Sequence, residues 1–394
     1  MRAGVAAASQ ARPARLGAFW FGIQAVWTAL LGVVLQDRVT ALASDPVVLF
    51  SWLVAAGACI ASVVQIVAGV LSDRMRARSG SRRAFYAAGT ALAIPAVVAL
   101  PAAWSLAALW AAALLLQLGM NVAGGPYQGI VGDYVAPERI GRASSWMSVY
   151  QFAGSVTGAI LTALLRGPAL GIALAGALGA AWFVTDRHVA TLPRAAREAA
   201  PLRLDADARI VLVSRALINL GFYTLFYYLF FFVHDALRVR DAHAVTAELF
   251  LAFTVSGVAG AAFAGRAADR SDKRVVVSVA CAAIALAVGT FAAAPNVAVA
   301  FVCAVGAGIA WGGFFTADWA IAYAVLPREA LASAMGVWNL AATLPQIAAP
   351  AATGALIARI DPHAGGLGAR VALVLVVVEF VAGTAWLWRL RRAP

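Results

Sequence analysis

Apolar segments of membrane length alternate with short polar loops along the whole chain. A helix needs about 20 apolar residues to cross the hydrocarbon of a bilayer. By that criterion we predict twelve spanning helices, six in each half of the chain. Their predicted bounds are 16–36, 47–72, 84–103, 104–133, 143–165, 167–185, 209–234, 245–268, 275–294, 296–325, 336–358 and 369–388.

The longest polar stretch separates the sixth predicted helix from the seventh. It mixes basic and acidic side chains and contains two prolines, which is typical of a linker between two bundles. We therefore predict an all-α membrane protein with two pseudo-symmetric six-helix bundles, at 1–185 and 209–394, joined by a cytoplasmic linker at 186–208.

The two predicted halves repeat a short loop sequence. A glycine, an aspartate and an arginine stand at the end of the second span and recur 196 positions later, at the end of the eighth. A second echo, at 135–139 and 325–329, precedes the fifth and eleventh spans. Duplicated halves are the usual build of a secondary transporter. The repeated residues are Gly69, Asp73 and Arg74 in the first copy and Gly265, Asp269 and Arg270 in the second.

The composition agrees with a membrane protein. Hydrophobic residues make up 63% of the chain and charged residues 12%, with a mean hydropathy of +0.85, whereas a soluble domain carries about 25% charged residues. The excess of 30 basic over 18 acidic residues does not indicate a nucleic-acid partner, because 24 of the 30 fall on one side of the predicted topology. This asymmetry predicts a multi-pass protein of the inner membrane with both termini in the cytoplasm.

The sequence shows no pattern for a disulfide, a metal, a cofactor or a catalytic site. Cys59, Cys281 and Cys303 lie in apolar segments, so we expect small buried side chains. The four histidines lack the spacing of metal ligands, and no nucleotide-binding loop is present. We therefore expect no metal and no cofactor, and we predict that the protein is not an enzyme.

The loop after the second span reads Gly69-x-x-x-Asp73-Arg74 and continues as a basic stretch to Arg83. This pattern resembles the signature loop of the major facilitator superfamily, and the resemblance covers the whole chain. The long basic stretch, the segment 126–128 before Asp133 and the segment 226–230 are similar to the glycoside–pentoside–hexuronide cation symporters and the sucrose-transporter-like branch. The resemblance implies a solute carrier that works by rocker-switch alternating access.

One feature departs from the melibiose-type sodium symporters, which carry acidic residues within the second helix. Here no acidic residue occurs between Asp45 and Asp73. We therefore expect a proton, and not sodium, as the coupling ion.

Four spans, the first, fourth, seventh and tenth, carry polar or aromatic side chains at i, i+4 and i+7, on one helical face. The resemblance implies that these four helices line a central cavity, although such side chains also serve as packing contacts between helices. Aromatic faces beside neutral amides suit sugars, and they suit hydrophobic drugs as well. Including neighbouring positions and the fifth and eleventh spans, the predicted substrate-binding residues are Trp20, Gln24, Trp27, Asn121, Tyr127, Gln128, Tyr150, Gln151, Asn219, Tyr223, Trp311, Phe315, Trp338, Asn339 and Gln346.

Two acidic residues inside predicted spans bear on coupling. An ionised Asp in the bilayer core costs about 3 kcal/mol. Asp318, on the stripe of the tenth span, is therefore either the proton-coupling residue or a partner of Arg328 or a helix end, and Arg215 is a candidate counter-charge. Glu379, in the middle of the twelfth span, is either a second protonatable site or a residue that faces a partner.

The repeated loops are candidates for gates. Carboxylates at helix ends can bind the N-termini of neighbouring helices and the arginines of other loops. Asp133 matches the acid that ends the fourth helix in related carriers, and the resemblance implies a gate partner there. The predicted gating residues are Gly69, Asp73, Arg74, Asp133, Arg142, Gly265, Asp269 and Arg270.

We predict a secondary active transporter of a small solute, with a sugar or glycoside as the first substrate and a proton as the coupling ion. One alternative is a proton-driven exporter of drugs or metabolites, although the segment 154–159 lacks the proline and paired glycines of the export signature. A second alternative is a membrane assembly or sensing factor of the same fold that transports nothing. The expected partners are the solute, the coupling ion and the lipid bilayer.

Overall fold

The computed structural model describes residues 11–194, 198–360 and 367–391. Within these ranges the regular structure is entirely helical, and twelve helices are long and apolar enough to cross a membrane. The predicted all-α fold with twelve spans is confirmed. The helices are α1 Pro13–Leu42, α2 Pro46–Ser79, α3 Arg83–Ala99, α4 Leu106–Tyr134, α5 Ile140–Leu164, α6 Gly167–Thr191, α7 Ala206–Phe231, α8 Ala242–Arg270, α9 Lys273–Ala292, α10 Val297–Val325, α11 Leu331–Ile360 and α12 Leu367–Leu387.

Several helices extend past the predicted spans into the polar loops. The second span, predicted at 47–72, continues in α2 to Ser79, and the sixth, predicted at 167–185, continues in α6 to Thr191. The apolar pattern marks only the part of a helix that faces hydrocarbon, so it underestimates helices that continue into water. Residues 195–197 of the predicted linker and both chain termini lie outside the described residues.

Side-chain caps set where several helices begin. Asp45, Ser105, Asp205 and Asp241 each accept a hydrogen bond from the backbone N–H three positions later, at 2.8–3.2 Å. These contacts satisfy donors that the first helical turn leaves without an intrahelical partner. The cap at Ser105 explains why α4 begins at Leu106, two residues later than predicted.

Contacts divide the described chain into two compact units. The first comprises Met1–Arg203 and Leu326–Val337, within the described residues. In it, α1 packs on α5 and α6, α3 on α4 and α6, and α2 on α4. A cluster of aromatic side chains lies at its centre, where the ring of Tyr127 is 5.0 Å from that of Phe19 and 6.4 Å from that of Tyr86.

The second unit comprises Leu204–Val325 and Trp338–Pro394, within the described residues. In it, α8 packs on α10, α7 on α12, and α9 on both α10 and α12. Its interior holds large aromatic side chains at full burial, among them Trp319, Trp338 and Tyr323.

The cysteine prediction is correct at two positions and wrong at one. Cys281 and Cys303 are buried, whereas Cys59 is exposed on α2. The apolar pattern could not separate these positions, because a helix face turned towards lipid is as apolar as one turned towards the protein interior.

Close helix approach depends on glycine where α3 crosses α4. A Cβ atom at Gly119 would lie 2.6 Å from the backbone nitrogen of Ala93 and 2.9 Å from the backbone oxygen of Gly89. Both neighbours are backbone atoms, so they cannot move aside without separating the helices.

We predict that Gly119→Leu destabilises the first unit by about 3 kcal/mol or more, because the added side chain must push α3 away from α4. The midpoint of thermal unfolding of the purified protein in detergent measures the effect. Gly306→Leu in α10 is the matched control, since a Cβ there meets no atom within 4 Å. Equal midpoints for the two variants would contradict the assigned crossing.

Candidate functional site

The loop between α2 and α3 reverses the chain through a glycine. Gly80 has a φ of 73°, in the left-handed region that favours glycine, and its N–H donates to the carbonyl of Arg76 at 2.7 Å. This C-cap ends α2 abruptly. The two residues that follow then bring Arg82 back against α2 and α4.

Arg82 joins two buried carboxylates in the first unit. Its guanidinium lies 2.7 Å from Asp73 and 2.7 Å from Asp133, and Asp133 also binds Arg76 at 2.7 Å. All four side chains are at most 3% exposed. Burial alone would lower the pKa of Arg82, but the charges of Asp133 and Asp73 outweigh it and hold that pKa above its ordinary value. The cluster therefore contains two cations and two anions, with its charge balanced internally.

Asp73 also holds the first turn of α11. Its carboxylate accepts hydrogen bonds from the N–H of Ala332 at 3.2 Å, from the N–H of Ser333 at 3.0 Å and from the Ser333 hydroxyl at 2.6 Å. A carboxylate is favourable there because the start of a helix carries unsatisfied donors and a partial positive charge. Arg76 adds longer contacts to the carbonyls of Arg328 and Glu329, at 3.4 and 3.5 Å.

Gly69 permits this contact sterically. A Cβ atom at that position would lie 2.6 Å from the carbonyl oxygen of Ala332 and 2.8 Å from the nitrogen of Ser333. The glycine and the aspartate of the signature loop thus act on the same turn of α11, one by leaving space and the other by accepting hydrogen bonds.

The structure joins only part of the predicted gating set into this cluster. Gly69, Asp73 and Asp133 belong to it, whereas Arg74, Arg142 and Arg270 are exposed, Gly265 is buried and Asp269 is half-buried. Sequence reasoning missed Arg76 and Arg82 as specific participants, because it treated them as members of a general basic stretch. The signal was present in Gly80, since a glycine at the helix end allows the following residues to turn back.

Predicted substrate residues of the first unit lie on α1, α4 and α5. Trp20 packs on Tyr127, with ring centroids 5.7 Å apart, and the hydroxyl of Tyr127 donates to the carbonyl of Leu16 at 2.8 Å. Trp20, Asn121, Tyr127, Gln128 and Gln151 are buried, while Gln24, Trp27 and Tyr150 are half-buried. The last three side chains therefore present the more accessible surface of this set.

Several predicted amides already use a donor within their own helix. The side-chain nitrogens of Asn121, Gln151 and Asn219 each donate to the backbone carbonyl four residues earlier, at 2.8, 3.3 and 2.9 Å. The nitrogen of Asn121 also donates to Oε1 of Gln117 at 3.2 Å. The amide nitrogens of Gln151 and Asn219 each have a second hydrogen.

The second unit contains a buried ion pair between α7 and α10. Arg215 binds Asp318, and both residues are at most 5% exposed. The guanidinium carbon of Arg215 lies 3.3 Å from the ring centroid of Trp338 on α11. Of the partners considered for Asp318, the candidate counter-charge Arg215 forms the ion pair, and the alternative pairing with Arg328 is wrong. Arg328 precedes α11 and belongs to the first unit, whereas Arg215 reaches Asp318 inside the second.

Two hydrogen-bond donors in this cluster are unsatisfied. Within the described part of the chain, neither Nε of Arg215 nor Nε1 of Trp338 has an acceptor. Buried polar groups in proteins are almost always hydrogen-bonded. Two unsatisfied donors side by side therefore mark a place where a water molecule or an oxygen atom of a solute would bind.

An aromatic row leads away from this cluster along α10. Trp338 lies 4.4 Å from Trp319, Trp319 lies 6.4 Å from Phe315, and Phe315 lies 6.0 Å from Trp311. Trp311 in turn stacks on Phe222 of α7 at 4.3 Å with nearly parallel rings. The row brings together three predicted substrate residues, Trp311, Phe315 and Trp338. The remaining three, Tyr223, Asn339 and Gln346, are partly or fully exposed on α7 and α11.

A small apolar pocket of about 50 Å³ adjoins the end of this row. Helices α7 to α10 line it, and nearly all of its lining is hydrocarbon or aromatic surface. Its aromatic members are Phe222, Phe226, Phe250, Phe253 and Phe291. Sequence reasoning did not separate this pocket from the general apolar background of the helices.

A metal site is not formed by the described residues, in which no group of three or more His, Cys, Asp or Glu side chains comes together.

We predict that Arg82→Met lowers the unfolding free energy by about 3–5 kcal/mol, because it leaves two buried carboxylates with one cation. Adding Asp133→Asn should recover at least half of that loss, since the cluster becomes charge-balanced again. Thermal unfolding in detergent reports both effects.

Arg83→Met provides the control for that pair of variants. Arg83 binds Asp186 at 2.6 Å, but its side chain is 42% exposed, and exposed pairs contribute about 0–1 kcal/mol. The assigned charge balance would be wrong if Arg82→Met and Arg83→Met lowered the unfolding free energy equally. It would also be wrong if adding Asp133→Asn lowered the unfolding free energy of Arg82→Met further.

Comparisons with known proteins agree with the architecture. The sequence profile of the Major Facilitator Superfamily matches residues 17–350. No curated protein sequence matches the chain significantly.

Solved structures share the fold at low sequence identity. The human organic anion transporter MFSD10 (TETRAN) aligns with a TM-score of 0.75 and 14% identity, over 95% of this chain and 98% of that one. A bacterial homologue of the iron transporter ferroportin, in an outward-facing state, aligns with a TM-score of 0.73 and 14% identity, over 96% and 99%. The same homologue with soaked iron aligns with a TM-score of 0.73 and 13% identity, over 97% and 100%.

Sequence identities of 13–14% show only that these proteins share a fold. The assignment of the chain to a family therefore rests on the match to the sequence profile. That profile covers most of the chain, and the twelve membrane-length helices of the described residues fit it. The chain belongs to the Major Facilitator Superfamily, and it is a transporter of some solute and not an enzyme.

Proposed function

We propose that the protein is a proton-coupled symporter of a neutral sugar or glycoside. In this proposal it resides in the inner membrane with both termini in the cytoplasm, and it works by rocker-switch alternating access. The resemblance of its signature loop to the glycoside–pentoside–hexuronide and sucrose-transporter-like carriers supports the substrate class. The positive-inside distribution of Lys and Arg supports the orientation.

The observation that carries the substrate class is the state of the Arg215 cluster. Its cation is paired with Asp318, so the cluster has no net charge to offer a charged solute. It does retain two unsatisfied N–H donors, on Arg215 and Trp338. Donors beside an aromatic ring suit a solute that combines hydroxyl oxygens with an apolar face, as a sugar ring does.

Side chains of the first unit supply similar chemistry. Gln24, Trp27 and Tyr150 are half-buried and combine one amide with two aromatic rings. In the second unit, Tyr223 and Phe315 supply two aromatic rings, and Asn339 and Gln346 supply two amides. We propose that these residues contact the solute, while Asn121, Tyr127, Gln128, Gln151 and Asn219 position them.

Proton coupling is assigned to Asp318 in this proposal. Its carboxylate exchanges between two neutralising partners, Arg215 in one transport state and a proton in the other. An unpaired carboxylate is costly in a membrane, and the exchange keeps Asp318 neutralised in both states. In the protonated state Arg215 is left as a cation without its carboxylate partner.

The signature loop is proposed to act as a gate. The bonds from Asp73 to the first turn of α11 stabilise one transport state and break in the other. Arg82 and Asp133 keep Asp73 oriented, and the second copy of the loop, with Gly265, Asp269 and Arg270, has the equivalent role.

A proton-driven exporter of hydrophobic compounds is the second candidate function. The apolar and aromatic lining of the pocket at Phe222 favours it, because hydrophobic compounds bind to such surfaces. The structurally similar human protein is an organic anion transporter, but here the cation Arg215 is already paired with Asp318. The non-transporting alternative is set aside because the family is one of transporters.

We predict that a saccharide raises the thermal unfolding midpoint of the purified protein, since a solute that binds only the folded state stabilises it by mass action. The panel contains monosaccharides, disaccharides, aryl glycosides, amphipathic amines and organic acids. Trp338→Phe keeps the ring but removes the donor, so it should weaken saccharide binding about 3- to 10-fold.

Trp388→Phe is the matched control, because it also removes an indole donor, one that binds Ser278 at 2.9 Å elsewhere in the second unit. Stabilisation by hydrophobic amines alone, abolished in Asp318→Asn, would replace the sugar proposal with the exporter. Stabilisation by no member of the panel would contradict both.

We predict that Asp73→Asn leaves solute affinity within about twofold and lowers the transport rate about tenfold. The variant loses the pairing with Arg82 and weakens the hold on α11, but it changes no proposed solute contact. Binding in detergent and uptake into proteoliposomes measure the two effects. Arg74→Gln, at the exposed neighbouring position, should retain the rate, and loss of binding in folded Asp73→Asn would refute the gate.

A further inference from the structure

Glu379 lies near the middle of α12, where a carboxyl group needs a specific reason to be tolerated. Twelve residues separate it from Leu367 and eight from Leu387, so the nearer end of the helix is about 12 Å away. The flanking Val378 and Val381 are more than half exposed on the outer surface of α12. Glu379 itself is half-buried and thus borders an apolar face.

Hydroxyl groups are the polar neighbours of this carboxyl. The side chain of Thr224 on α7 lies beside the Glu379 carboxyl, and Oγ1 of Thr224 lies 3.4 Å from Oγ1 of Thr353 on α11. Both threonines are buried. The other carboxyl oxygen, Oε2 of Glu379, is buried and has no hydrogen-bond partner among the described residues.

Glycine lets this part of α12 approach α7. A Cβ atom at Gly221 would lie 3.3 Å from Cβ of Glu379 and 2.8 Å from the ring of Phe380. Gly221 is three residues before Thr224, so the close approach places the Thr224 hydroxyl within reach of the carboxyl. The contact is thus built by the packing of the two helices.

The nearest titratable and charged groups on the packed helices have other partners. On α7, Arg215 binds Asp318, and the Tyr228 hydroxyl donates to the carbonyl of Pro350. On α9, Cys281 is buried, and the Thr384 hydroxyl of α12 donates to the carbonyl of Phe380. Arg370, nine residues before Glu379 on α12, donates to the carbonyl of Ala292. In the described chain, no cation forms an ion pair with Glu379.

We propose that Glu379, Thr224 and Thr353 form a second proton-binding site, embedded in the membrane and separate from the Arg215–Asp318 pair. When the carboxyl is ionised, Thr353 donates to Thr224 and Thr224 donates to the carboxylate. When a proton binds a carboxylate oxygen, the resulting O–H can donate to Thr224. The two threonine hydroxyls can then rotate so that Thr224 donates to Thr353. The hydroxyl chain therefore satisfies both protonation states, which a cation partner cannot do.

Glu379 and Asp318 differ in the charges around them, and this difference is the reason for assigning a proton to Glu379 as well as to Asp318. A buried carboxylate beside an arginine is held ionised by that charge. Glu379 has no such charge beside it, and a bare carboxylate at hydrocarbon depth costs several kcal/mol. The existence of this site depends only on the packing of the second unit, whereas its use in driving transport rests on the proposed function.

Infrared spectroscopy of the full chain in liposomes tests the proposal. A protonated carboxylic acid has a carbonyl band distinct from that of a carboxylate. We expect this band to be present at acidic pH and to disappear as the pH is raised. It should be lost in Glu379→Gln and retained in Asp318→Asn. Glu379→Gln keeps the size and hydrogen-bonding capacity of the side chain, and its unfolding midpoint verifies that it folds.

Thr224→Val is the second variant, and it distinguishes a hydroxyl-bonded site from an isolated acid. Removing the hydroxyl takes a donor from the carboxylate, so the band should persist to more alkaline pH than in the parent protein. Thr290→Val, whose hydroxyl bonds within α9 and is exposed, should leave the titration unchanged.

A hydrophobic carbodiimide provides the chemical test, because it attaches covalently to protonated carboxyl groups. Mass spectrometry should find the adduct on the peptide that contains Glu379. A titrating band that Glu379→Gln leaves unchanged, or one lost in Asp318→Asn, would overturn the proposal. Neither readout needs a solute, so failure of the sugar proposal would leave this result unaffected.

Discussion

Hydrocarbon offers no hydrogen-bonding partners, and the arrangement of the backbone and of the buried charges in this chain follows from that constraint. Backbone groups must be satisfied inside each span, which is why the described residues form helices and why Asp45, Ser105, Asp205 and Asp241 cap several of them. Charged side chains must also be satisfied within the protein. Arg82 therefore lies between Asp73 and Asp133, and Arg215 lies against Asp318 and the face of Trp338.

The two charge clusters are built differently and so suit different tasks. The Arg82 cluster has two cations and two anions, and one of its anions also holds backbone donors at the start of α11. A contact made of a few directed hydrogen bonds can break and reform as a unit, which suits a gate. The Arg215 cluster is a single ion pair with unsatisfied donors beside it. An incomplete set of partners suits a place where a solute binds and leaves.

Glycine allows neighbouring helices to approach closely where they cross. At Gly69, Gly119 and Gly221 an added Cβ would meet backbone or ring atoms of the neighbouring helix within 3 Å. Helix pairs in a membrane gain little from hydrophobic burial against one another, so close packing carries much of their association. The same small residues allow Asp73 and Thr224 to reach partners on other helices.

Much of the fold followed from the sequence, since twelve apolar segments and a repeated loop are one-dimensional patterns. The family also followed, because Gly69, Asp73 and Arg74 recur with fixed spacing. Which charged residues form pairs was harder to predict from the sequence. For Asp318 the sequence left open a pairing with Arg328, ten residues along the chain, and a counter-charge from Arg215, more than 100 residues away, and only the structure showed that Arg215 is the partner. Spacing predicts which residues share a helix face, but it does not predict which two faces meet.

The sequence by itself determined the helices, their number and their membrane character, because hydrophobicity and helical periodicity are local properties. The tertiary structure alone decided which polar groups are satisfied. It showed that Asn121, Gln151 and Asn219 bond their own helices and that Arg76 and Arg82 complete the Asp73 cluster. It also placed the threonine hydroxyls of α7 and α11 together beside α12, where Glu379 forms no ion pair with any described residue. These outcomes depend on contacts between distant segments, and such contacts are set by how whole helices pack.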